Sequence, residues 1–169
     1  RRAHRLMTFS QEMRRAGRVP SSRVLTRVLR SSTAEEAQAL GIDAGDHVVH
    51  LRRLRLADGA PVALESVVLI AATADAVTTA DLETGSLHHV LASAGYVLRR
   101  GSGSIGADVA SATDADLLGV TAGSPLLVER RVIVDAHGRR IEATESRYRA
   151  DSYRIDVRFD VEGQEVTGG

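Results

Sequence analysis

The stretch His47 to Val67, HVVHLRRLRLADGAPVALESV, sets Arg53 and Arg55 two residues apart in an alternating run. It turns at Asp58-Gly59 and returns with Glu65 in a second apolar run. Side chains two apart on a strand share a face, so both guanidiniums point one way and the returning strand can bring a carboxylate to them. An Arg pair can hold a phosphate or carboxylate through several donors at once, while the nearby carboxylate accepts from a hydroxyl or ammonium of the same ligand. The chemistry expected is recognition of a small anion. The same spacing also fits a solvated strand face with a cross-strand ion pair, worth roughly 0.2–1 kcal/mol. For Glu65 to face both arginines the paired residue numbers must sum to an even value, which predicts an odd-length loop around Asp58-Gly59.

Three further groups could join such a site. Glu142, Thr144, Ser146 and Tyr148 alternate along one stretch; an acid, two hydroxyls and a phenol on one face suit the rim of a sugar, or equally the wet side of an outer strand. Ser86 and His88 stand at a predicted helix start, where free N–H groups attract anions, although Ser there is more often only a cap. Phe9-Ser10 opens another helix, as a wall of the site or as a packing staple. Gly101-Ser-Gly-Ser104 lacks the Gly-Lys-Ser/Thr of a phosphate loop and reads as a bent or bulged strand. His88-His89 are adjacent and diverge, and no Ser-His-Asp order or Cys-His pair is present. No catalytic residue, metal ligand or cofactor is therefore expected.

The elements that must position these groups are marked by their ends. Thr8 and Gln11 form a capping box with Gly17 as the stop; Thr33 and Glu36 form a second, stopping at Gly41. Pro20 starts an extended segment, and Ser22 to Leu29 reads as a strand. Val48 to Leu56 and Val62 to Ile70 make the hairpin. Ala71 to Thr84 is a helical turn or a loop. Ser86 caps a helix stopping at Gly95, Tyr96 to Val109 is a glycine-interrupted strand, and Tyr153 to Phe159 is a last strand.

A repeat organises the whole. AEEAQALGIDAG, ending at Gly45, returns as ATDADLLGVTAG, ending at Gly123. Each copy runs on into an Arg pair (Arg52-Arg53, Arg130-Arg131), a turn with Asp and Gly, and a strand ending in Glu-Ser (Glu65-Ser66, Glu145-Ser146). The second turn, Asp135 to Gly138, is longer by two residues, an insertion that should preserve facing. Two copies are too few for a solenoid, so the prediction is an α+β domain of two pseudo-repeated halves sharing one antiparallel sheet.

Composition excludes several classes. The 169 residues suit one domain. Twenty-two acidic and twenty-two basic side chains cancel, leaving none of the broad positive field of a nucleic-acid surface. There is no Cys, hence no disulfide or thiolate site, and a reducing cytoplasm fits. No run approaches the roughly 20 apolar residues that span a bilayer. All the basic residues are Arg, which looks like the codon bias of a GC-rich genome.

With these motifs in place, the chain resembles the UTRA ligand-sensing domain of the HutC branch of GntR transcriptional regulators. The resemblance rests on Phe9-Ser10-Gln11-Glu12-Met13 with Gly17, Leu40-Gly41 with Gly45, Leu51-Arg-Arg-Leu-Arg55, Asp58-Gly59 through Glu65, Gly85-Ser-Leu87, Leu118-Gly119 with Gly123, and Ser146-Arg-Tyr-Arg-Ala-Asp151. It implies a chorismate-lyase-like antiparallel sheet with short helices, a homodimer, and a small anionic effector, a sugar phosphate or a carboxylate. DNA would be reached only through a winged helix-turn-helix domain preceding this one, with residues 1–5 a linker remnant, 6–163 the sensing domain and 164–169 a tail. The resemblance assigns Phe9, Ser10, Arg53 and Ser86 to the phosphate, with His88 in the place of a common Tyr. It assigns Arg55, Glu65, Glu142 and Tyr148 to the sugar. Further departures are Gly103 and Gly106 where many members have Glu, Glu145 where a basic or neutral residue is usual, and Ala150 for Gly. The competing reading is a chorismate-lyase-like enzyme acting on a small carboxylate, which would need an acid or base placed for turnover.

Overall fold

The computed structural model describes residues 8–156. Three helix starts follow from their caps. Helix α1 (Phe9–Arg15) begins where the Thr8 hydroxyl accepts from the Gln11 N–H and the Gln11 side chain accepts from the Thr8 N–H. Helix α2 (Ala34–Leu40) repeats the arrangement with Thr33 and Glu36, and α5 (Ala112–Leu118) starts from Ser111. Both α2 and α5 close on a glycine at φ 67°, ψ 36°, Gly41 and Gly119, a left-handed cap that L side chains resist. The repeat seen in the sequence is thus a repeat of backbone. Between the halves, Ala71–Thr73 forms a 3₁₀ turn, followed by α3 (Ala74–Thr79) and α4 (Leu87–Ser93).

Six strands form one antiparallel sheet: β1 (Pro20–Ser31), β2 (His47–Ala57), β3 (Ala60–Ile70), β4 (Leu98–Val109), β5 (Pro125–Asp135) and β6 (Arg140–Arg149). Their order is β1-β2-β3-β6-β5-β4, so the two halves meet at β3 and β6. This is the predicted α+β architecture. Alternation splits the apolar residues between two faces. On the back, α5 brings Ala115 and Leu118 onto Leu54, Leu64, Leu126 and Val128, and α2 lies over β3 and β6. On the front, Val77, Leu82, Leu87 and Leu91 from α3, α4 and their connection cover Leu51, Val67 and Leu69, while α1 sets Phe9 and Met13 against Ala57, Ala63 and Tyr148.

The β2–β3 hairpin reaches the predicted facing by another route. Asp58 (φ 51°) and Gly59 (φ 77°) both occupy positive φ and form a tight two-residue turn, with Ala57 opposite Ala60. That turn alone would give odd sums. After Leu56 pairs with Pro61, however, Arg55 pairs with Ala63, leaving Val62 as an extra residue in a bulge. Pro61 has no N–H to give the ladder, and a bulge beside the turn accommodates it. The bulge restores the even sum and sets Arg53 opposite Glu65.

The second hairpin corrects the repeat. Asp135 donates its N–H to the Arg139 carbonyl, closing a three-residue loop over Ala136, His137 and Gly138, and Ile141 is the bulged residue. The loop is longer by one residue, not two. Glu145 therefore pairs with Arg130 on the back face, and the partner of Arg131 on the front is Thr144. Of the last predicted strand, residues 153–156 form no strand, because Tyr153 turns back to stack on Tyr148 at 3.8 Å. The remainder of that strand, the linker at 1–5 and the tail at 164–169 lie outside the described residues.

Candidate functional site

The front face of β2, β3 and β6 carries a polar row inside an otherwise aliphatic surface. Arg53, 2% exposed, donates from Nε (3.0 Å) and Nη2 (2.5 Å) to Glu65 Oε1, and from Nη1 to the Leu82 carbonyl. Arg55 donates from Nη1 to Glu65 Oε2 at 3.0 Å, reaches the Ser10 hydroxyl at 3.5 Å, and lies 4.4 Å from the centre of the Phe9 ring. One carboxylate thus aligns two guanidiniums. Burial pushes the Glu65 carboxyl up, but Arg53 and then Arg55 outweigh burial and hold it at about 2. It is a fixed negative charge, poorly suited to proton transfer near neutrality.

Glu142, Thr144 and Ser146 are all buried on the same face. Glu142 Oε1 is 3.0 Å from His88 Nε2, and the Thr144 hydroxyl donates to it at 3.4 Å. Ser86 caps α4 by accepting the His89 N–H. Ser86, His88, Glu142 and Thr144, with Arg53, Arg55, Glu65, Thr8, Phe9, Ser10, Val67 and Leu87, line one cleft between the sheet, α1 and α4. Its volume of about 30 Å³ holds a water molecule or two; a larger guest must displace part of the wall.

The structure brings together Phe9, Ser10, Arg53, Arg55, Glu65, Ser86, His88 and Glu142. Two placements differ from the sequence assignment. Ser10 is hydrogen-bonded to Arg55 rather than Arg53. Tyr148 does not line the cleft: it is buried beneath α1 against Tyr153, and burial, then Glu129, drives its hydroxyl well above the ordinary tyrosine range.

One cleft residue escaped the sequence reading. Arg131 enters from β5 and donates from Nη1 to the buried Glu129 at 3.1 Å. Desolvation disfavours its charge, but Glu142 and Glu129 more than compensate and raise its pKa. The signal was available, because Arg130-Arg131 repeats Arg52-Arg53 and places Arg131 in the role of Arg53. Three guanidiniums thus face Glu65, Glu129 and Glu142. Among the described residues, Arg55 Nε, Arg131 Nε and Glu142 Oε2 are buried without a hydrogen-bond partner, which is costly unless a guest supplies one. Among the same residues no group of three or more His, Cys, Asp or Glu side chains is arranged to hold a metal, and no helix is long and apolar enough to cross a membrane.

A family model described as the UTRA domain matches residues 15–154. The chain is 27% identical over 148 residues to the HTH-type transcriptional repressor NagR of Bacillus subtilis, covering 88% of this chain and 61% of the relative. It is 33% identical over 121 residues to the HTH-type transcriptional repressor PhnF of Mycolicibacterium smegmatis, covering 70% of this chain and 50% of the relative. The chain thus spans only half to three-fifths of these curated relatives. Among solved structures, the effector domain of PhnF from Mycobacterium smegmatis superposes with a TM-score of 0.84 at 25% identity, over 91% of this chain and 95% of that one. The cleft with its buried arginines therefore sits in a ligand-binding effector domain of the GntR regulator type, and the chain belongs to the UTRA domain family.

Proposed function

We propose that this domain senses a small anionic metabolite, of the sugar phosphate class, and that its occupancy alters operator binding by a DNA-binding domain joined to it in a cytoplasmic, dimeric regulator. The observation that carries this reading is the buried Arg53–Glu65–Arg55 cluster opening on a cleft. One carboxylate cannot satisfy the donors of two guanidiniums, and Arg55 keeps a buried Nε–H without a partner among the described residues. A phosphoryl group seated near Arg53, Arg55, Ser10 and Ser86 accepts those hydrogens. Glu65 orients the forks in advance, so little ordering is left to binding.

Thermal-shift screening against sugar phosphates tests the reading. A ligand at 100 times its Kd stabilises by about 2.7 kcal/mol, and Arg53→Ala should weaken every phosphorylated hit by a similar factor. Failure of all phosphorylated and carboxylated compounds to shift the transition would overturn it. Turnover of a bound carboxylate would favour the lyase-like alternative instead.

A further inference from the structure

The cleft has a second end, where β5 meets β6. Arg131 stands beside Thr144 across that pairing, and Glu142 is two residues further along β6. Glu142, 1% exposed, spends Oε1 on His88 and Thr144 and leaves Oε2 without a partner among the described residues. Arg131 spends Nη1 on Glu129, and its Nε, also buried, has no partner among the described residues. Both residues line the same cleft. Strand β4 passes Arg131 at Gly103, which has no side chain and where an added Cβ would stand 2.0 Å from the Arg130 carbonyl oxygen. The glycine keeps β4 close and bare at this point.

Arg131 and Glu142 each bring a buried atom without a partner, a donor and an acceptor, to the lining of one cleft, and a group that both donates and accepts would pair them. An alcohol hydroxyl donates one hydrogen and accepts through its lone pairs. An ammonium can only donate, and would leave Arg131 Nε unpaired; a second anion can only accept, and would be repelled by Glu142. Resting on the reading that an anion occupies the Arg53 and Arg55 end, we infer that Arg131 is a specificity-determining residue which, with Glu142, selects effectors bearing a hydroxyl group at the end remote from the anion.

The test compares two probes of similar size and equal charge type, sn-glycerol 3-phosphate, which has hydroxyls, and n-propyl phosphate, which has none. Isothermal titration of the wild-type chain should favour glycerol 3-phosphate by about tenfold or more, the range of a hydrogen bond to a charged group. Arg131→Met leaves Glu129 buried and unpaired, so it is made together with Glu129→Gln. Arg131→Lys is the second variant, since it keeps a cation but lacks the Nε–H. Both variants should lose most of the preference for glycerol 3-phosphate, read as the ratio of the affinities for the two probes. Equal affinity of the wild type for both probes, or a preference unchanged in both variants, would overturn the role given to Arg131. Binding of neither probe would overturn the underlying anion reading and this inference with it. Binding of propyl phosphate that Arg53→Ala abolishes would uphold the anion reading whatever Arg131 does.

Discussion

Glu65 is the residue on which the site depends, and its energetics can be checked without knowing the ligand. Its carboxyl is held at about 2 against an ordinary 4.5, by Arg53 and Arg55 acting against burial. A depressed carboxyl contributes stability that is complete above its unfolded value and is lost as pH falls through its folded value. The window is therefore from about 4.5 down to about 2, and the contribution is on the order of 3 kcal/mol. Glu65→Gln should remove that pH dependence and lower stability near neutrality by roughly 3–5 kcal/mol, since two buried guanidiniums lose their counter-charge. Urea unfolding of both proteins between pH 7 and pH 3 measures it. Parallel pH profiles would show that Glu65 is not the ionised partner of both arginines.

At the scale of elements, the Val62 bulge decides which residues form the site. Inserting one residue between Ala63 and Leu64, beyond the bulge, would set Leu64 opposite Arg53 and turn the even register of β2 and β3 into an odd one. Glu65 would then face the back, and Leu54 and Leu64, now buried against α5, would lose their shared face. The insertion is expected to abolish the cooperative thermal transition seen by circular dichroism; an unchanged transition would show that the Val62 bulge does not set the register. Helix α1 is held differently, through Phe9, Met13 and a 2.9 Å hydrogen bond from the Tyr153 hydroxyl to Glu12. Tyr153→Phe should cost about 1 kcal/mol and speed hydrogen exchange in α1 while leaving the central strands protected. Equal acceleration everywhere would mean that Tyr153 supports the whole fold rather than this wall of the cleft.

The two hairpins also show what the sequence could and could not convey. Caps and stops located α1, α2 and α4 to within a residue or so, because a Ser or Thr hydroxyl and a left-handed glycine act on their own neighbours, and the repeat implied α5. The clustering of Arg53, Arg55 and Glu65 was legible from period-2 alternation. Register was not, because a bulge is a compromise between a turn, a proline and the packing of a distant helix, and leaves no local mark. For the same reason Glu65-Ser66 and Glu145-Ser146 look equivalent in sequence yet face opposite ways, with Thr144 rather than Glu145 opposite Arg131. Tyr148 was placed in the cleft by resemblance, but the aromatic stack with Tyr153 holds it beneath α1.

For the molecule as a whole, the two sheet edges are unlike. Edge strand β1 carries Arg23, Arg27 and Arg30, charges of the kind that discourage edge-to-edge pairing. Edge strand β4 has no charge from Gly101 to Ala107, is exposed along nearly its whole length, and leaves Ile105 49% accessible. A long uncharged edge is a template for another strand. The occupant expected is β4 of a second copy, because an antiparallel pairing of identical strands satisfies a two-fold axis and joins two sheets into one. Such a pairing would also set the open, Gly103 side of each cleft beside the interface. Sedimentation equilibrium should find the wild-type chain dimeric. Ser104→Lys should give a monomer with an unchanged thermal transition at low protein concentration, since identical charges then oppose each other across the axis. A wild-type monomer would overturn the pairing outright, and a Ser104→Lys variant that dimerises as tightly as its parent would exclude β4 as the contact and leave the β1 edge or the exposed helices to supply it.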